Sequence, residues 1–178
     1  VLTGKIFGTD IYLFFPRHTE KKDYLARPFN YLPEEGVVFK YTGDEIIEGE
    51  NYYRFIYSGD FDWTDSYTFD VPKIIGHDSG VILVEPYSGI LIDYKENWVS
   101  NIEGGKYDGN VIENQTLIFT DDSRKVQILE SFDIKSKIIL YETILPIIFL
   151  IIGFGILISW WIGKRYPENI KILTRTKK

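Results

Sequence analysis

TILPIIFLIIGFGILISWWI, running from Thr143 to Ile162, is twenty residues without a formal charge. At about 1.5 Å of rise per residue, a helix of that length reaches roughly 30 Å, the thickness of a bilayer's hydrocarbon core. Trp160 and Trp161 lie at one end and Tyr141 just before the other, where interfacial aromatics belong. Lys164 and Arg165 follow at once. With the interfacial aromatics they are the expected membrane anchors, and the positive-inside rule places the C-terminus in the cytoplasm and the preceding residues outside. Pro146 falls where a helix start tolerates a missing N–H. Gly155, Ser159 and Gly163 recur every four residues, a small-residue stripe that lets a second helix approach closely. Glu142 reads as a solvated end of the span.

Working outward from the span, the charge is asymmetric. Of 20 basic and 26 acidic residues, Gly163–Lys178 holds six basic and one acidic, a net of +5. The rest holds 14 basic and 25 acidic, a net of −11, which argues against nucleic acid as a partner. The 178 residues contain neither Cys nor Met, which excludes disulfides, thiolate chemistry and Cys-built metal centres. Val1 in place of an initiating Met leads to the expectation that a preceding segment was processed away or is absent. Thirteen Tyr, twelve Phe and four Trp against a single Ala, Ala26, favour strands.

Short apolar–aromatic runs separated by turn signals predict antiparallel strands at Lys5–Phe15, Val37–Thr42, Tyr52–Ser58, Ser66–Val71, Val81–Glu85, Ile90–Lys95 and Val111–Phe119. Ser58-Gly59-Asp60 and Gly76-His77-Asp78-Ser79-Gly80 read as turns, and Pro86-Tyr87-Ser88-Gly89 as a hairpin. From Thr120-Asp121-Asp122-Ser123 onward, caps followed by Val126, Leu129 and Phe132 at helical spacing predict a helix over Ser123–Ile138. The expected architecture is mainly β, an antiparallel extracytoplasmic domain over residues 1–120. A membrane-proximal helix at 121–142, a single transmembrane helix at 143–162 and a basic tail at 163–178 follow.

Candidate chemistry is sparse. His18 and His77 have no metal-ligand spacing and read as surface residues. No Gly-x-Ser-x-Gly elbow or phosphate loop occurs, so neither catalytic residues nor a cofactor is expected. Asp60, Asp62 and Asp65 are the candidate metal ligands, although the spacing does not meet a Ca²⁺ loop and a solvated acidic turn explains them as well. Asn114-Gln115-Thr116 is the one N-glycosylation sequon. Tyr52, Trp63, Tyr87 and Trp98 are either strand core or outer contact residues.

Three segments carry a resemblance. They are Phe15-Pro16-Arg17-His18-Thr19-Glu20-Lys21-Lys22-Asp23-Tyr24, then Phe39 to Gly49 continuing to Tyr52-Tyr53-Arg54-Phe55, and Val84-Glu85-Pro86-Tyr87-Ser88-Gly89-Ile90-Leu91-Ile92-Asp93. In this order, ahead of a terminal helix with an early Pro, the set resembles the porin PorA family of archaeal and actinobacterial envelope proteins. Glu85 and Ser88 stand where that pattern usually has Asp and Thr. The resemblance implies an envelope protein with a β-rich outer domain and hands over no catalytic residues. Expected partners are membrane lipid and membrane proteins, met through the helix and the outer domain. Two alternatives are an oligomeric channel and a surface module for metal ions or sugars. One helix makes no pore by itself, and so few strands make no membrane barrel.

Overall fold

A computed structural model of the chain describes residues 14–27, 35–66, 68 and 71–165. The strands are β1 (Tyr24–Ala26), β2 (Val37–Ile47), β3 (Glu50–Asp62), β4 (Ile74–Val84), β5 (Leu91–Ile102) and β6 (Val111–Ile118). They form one antiparallel sheet in chain order, a meander, as the alternating aromatic runs predict. Ile47 pairs with Glu50 across a two-residue turn whose central residues, Glu48 and Gly49, have φ of 52° and 83°. Positive φ at both positions matches the turn's twist to that of the strands.

The strands are longer than their apolar runs, and the glycines explain it. Gly59, Gly76 and Gly80 are interior strand residues, not turns, pairing with Asp78, Phe61 and Tyr57. A Cβ on Gly76 would collide with the Trp63 indole, and one on Gly80 with the Tyr57 ring. At Gly59 it would stand 2.7 Å from Phe61. These glycines make room for aromatic rings lying over the sheet. A second correction concerns Ser66–Val71, whose described residues form no strand; Thr64–Ser66 is a single 3-10 turn. Lys5–Phe15 lies outside the described residues up to position 13.

Alternation along β3 divides the core between two faces. On one, Phe15, Tyr24, Phe39, Phe55, Tyr57, Ile82, Val84 and Tyr94 pack together, with Phe15 4.7 Å from Phe55 between ring centres. On the other, Tyr52, Leu83 and Ile92 pack against Ile128 and Phe132 of helix α1 (Asp121–Ile139). Val84 pairs with Leu91 and Leu83 with Asp93, so Ile92 is the extra residue of a β-bulge. The bulge sends Ile92 to the helix-covered face while Tyr94 joins the aromatic one.

The helix arises where the sequence predicts it, on a different face. Ile128, Ser131 and Phe132 turn toward the sheet, and Val126 and Leu129 are exposed. Arg124 and Lys135 bracket that stripe through ion pairs to Asp93 and Glu50, both at 2.6 Å. By compactness the chain divides into Val1–Lys135 and Ser136–Lys178. In the second unit, Leu140–Ile144 is a π-helical stretch followed by α2 (Leu145–Arg165). The Leu145 amide donates to the Leu140 carbonyl, five residues back. This widened turn immediately precedes Pro146, whose ring crowds the carbonyl four residues before it and which has no N–H to offer that carbonyl.

Candidate functional site

The Pro86-Tyr87-Ser88-Gly89 hairpin forms as read, and its details explain its residues. Glu85 Oε2 accepts the Ser88 amide at 2.6 Å, and the Gly89 amide donates to the Glu85 carbonyl at 2.8 Å. Gly89 has φ of 74°, and a Cβ there would run into the backbone carbonyl of Phe15 and come within 2.8 Å of that of Pro16. The close approach lets the preceding segment lie against the hairpin. The His18 and Thr19 amides donate to the Tyr87 and Pro86 carbonyls at 3.1 and 2.7 Å. Thr19 is buried and its hydroxyl donates to the Pro16 carbonyl, while Asp23 accepts the Tyr41 amide at 3.0 Å.

Those contacts enclose a cavity of about 410 Å³ lined by residues of all three motif segments and by one helical side chain. Its floor is Glu85, whose side chain is 4 % exposed and whose Oε1 accepts no hydrogen bond among the described residues. Lys135 reaches in from α1 to bond Glu50, stands 3.9 Å from Glu85 Oε1, and lies 5.4 Å from the centre of the Tyr87 ring. Tyr87 is exposed and meets the His18 ring edge-on at 5.9 Å. One ammonium between two carboxylates and an aromatic wall makes a polar recess with charge of both signs. Sequence reasoning found its parts as motifs and missed Lys135, for which no local pattern exists.

A second polar cluster is buried in the aromatic face. The Tyr57 hydroxyl donates to Glu96 Oε1 at 2.5 Å and lies 3.4 Å from Asp78, and all three residues are buried. Burial, then a hydrogen bond and the charge from Glu96, push the Asp78 carboxyl up to about 8. Burial and its bond to Glu96 also push the Tyr57 hydroxyl far above its ordinary value. With a second carboxyl beside it in a low dielectric, the Asp78 carboxyl resists ionising.

The acidic residues Asp60, Asp62 and Asp65 do not converge. Asp60 pairs with His77 Nδ1 at 2.6 Å, and Asp62 accepts the Thr64 amide and hydroxyl at 3.0 and 2.6 Å. The Thr64 hydrogen bonds hold the Asp62 carboxyl below the usual range. Asp65 is exposed in the 3-10 turn, and among the described residues no group of three or more metal-ligating side chains assembles. Asn114 is exposed on edge strand β6, paired with Val99. Tyr52 is core, Trp63 and Trp98 stack at 5.0 Å, and of the four singled-out aromatics Tyr87 is the exposed one.

In α2, Cβ atoms built on Gly153 and Gly155 meet open space, and Ser159 returns its hydroxyl to the Gly155 carbonyl at 2.8 Å. Gly163 lies one turn further on, and Tyr141 is exposed in the π stretch. At the far end Lys164 and Arg165 lie 5.3 and 5.0 Å from the ring centres of Trp160 and Trp161.

The helical run Asp121–Arg165 contains a window long and apolar enough to cross a membrane, none of it buried inside the protein. An antiparallel sheet domain followed by one such helix defines a membrane protein in lipid contact. The family model described as Porin PorA matches residues 9–162, and the chain belongs to the porin PorA family. Comparison with curated proteins gave no match.

Proposed function

We propose that the chain is a non-catalytic, single-pass accessory subunit of a membrane complex or cell envelope, its β domain outside and its C-terminus cytoplasmic. The observation that carries this reading is the small-residue face of α2 at Gly155 and Ser159, one turn apart, where a Cβ on Gly155 meets open space. With Ser159 satisfied within its own helix, that face is flat and makes no polar demand, which suits a second helix. Lys164 and Arg165 at the end of the span support the orientation.

Gentle extraction from the native membrane, native-gel separation and mass spectrometry of the band test it. Other membrane subunits at fixed stoichiometry are expected, and they are lost when Gly155 and Ser159 are replaced by Leu. A band of this chain alone in several copies would overturn the accessory role and favour the oligomeric channel that the family's name suggests. Protection of the C-terminus, but not of the β domain, from protease added outside tests the orientation.

A further inference from the structure

The C-terminal end of α2 carries a group that helix insertion does not require. Trp160 and Trp161 are exposed, and each has a cation over its ring four residues on, Lys164 over Trp160 and Arg165 over Trp161. The four side chains border one recess of about 340 Å³ at the end of the apolar stretch. Neither cation has a carboxylate partner among the described residues. An ammonium and a guanidinium are therefore held at the border of one recess at headgroup depth.

We propose that this recess binds the phosphate of an anionic phospholipid headgroup. Arg165 offers a planar fork matched to two phosphate oxygens, and Lys164 a second charge beside it. The indoles fix where both cations stand. They also supply the selectivity. A choline headgroup brings the same phosphate together with a trimethylammonium, which finds both aromatic faces occupied by the protein's own cations and is repelled by them. An anionic headgroup neutralises them. Sequence strengthens the field, because Lys171, Arg175, Lys177 and Lys178 follow against the single acid Glu168. A basic cluster directly after a span attracts anionic lipid, each Lys or Arg contributing about fivefold.

The test uses the full chain reconstituted in bilayers of equal phosphatidylglycerol and phosphatidylcholine. It is gently delipidated, and the retained lipids are counted by native mass spectrometry. Phosphatidylglycerol is expected to be retained over phosphatidylcholine, with the preference falling as NaCl is raised. The double variant Lys164→Gln/Arg165→Gln should lower that preference by about 25-fold. The charge-preserving Lys164→Arg/Arg165→Lys variant should keep most of it. Equal retention of both lipids by the wild type, or an unchanged preference in the Gln variant, overturns the proposal. Displacement of phosphatidylglycerol by millimolar inorganic phosphate would also overturn it, because the recess would then recognise free phosphate rather than a lipid.

Discussion

Gly89 and Gly49 separate two reasons for a glycine. Both have left-handed backbone, with φ of 74° and 83°, but a Cβ on Gly49 meets open space while one on Gly89 strikes the Phe15 backbone. Gly49→Ala therefore carries the conformational cost alone, about 1 kcal/mol. Gly89→Ala adds overpacking against backbone that cannot move without parting the hairpin from its neighbour, for a total of about 3 kcal/mol. Thermal unfolding of the two variants checks the order, and equal losses would contradict it. Asp78 makes a pH prediction. Its carboxyl is held up to about 8 in the fold against an unperturbed 3.8. Between those values the folded protein holds a proton that the unfolded chain has released. Stability from this group is complete below about 4 and is lost as pH rises toward 8. Asp78→Asn keeps the neutral shape, so its melting temperature should vary less between about pH 5 and 8 than the wild type's. Parallel curves for the two proteins would rule this out.

The element scale shows what the sequence made legible. Periodicity located β2 through β6, the helix and the span, because apolar alternation and apolar runs are local properties. It cut β3 and β4 short because a glycine that admits Phe61, Tyr57 or Trp63 looks the same, in one dimension, as a glycine in a turn. It found α1 and misjudged its face because two of the contacts that dock it come from charged residues, Arg124 and Lys135. The candidate recess was legible only as separate motifs, since Lys135 and Glu50 meet across 85 residues of chain. This geometry predicts coupling between helix and hairpin. Lys135→Met should destabilise the domain by about 2 kcal/mol, because it leaves the buried Glu85 carboxylate without a nearby cation. Adding Glu85→Gln to it should restore part of the loss. Denaturant titration of the single and double variants measures the coupling energy, and strict additivity would show that the two side chains do not interact.

At the scale of the whole molecule, the two compact units place opposite demands on their surroundings. Within Val1–Lys135, both faces of the sheet contribute to core clusters, one of them with the N-terminal part of α1. No residue of either cluster lies beyond Phe132. The span is the reverse case, with its most apolar window wholly unburied and Phe149, Ile151 and Ile156 more than 60 % exposed. Its stability must come from lipid or partner helices, because no interior of its own removes that surface from water. A fragment ending at Ile139 keeps every core residue, the Arg124–Asp93 pair and the Lys135–Glu50 pair, and sheds the π stretch and α2. It should run as a soluble, folded β domain in gel filtration. It should melt cooperatively, with a midpoint within a few degrees of the full chain in detergent. A fragment that aggregates or loses its cooperative transition would mean that the sheet depends on the span for its fold, and the two units would then have to be treated as one.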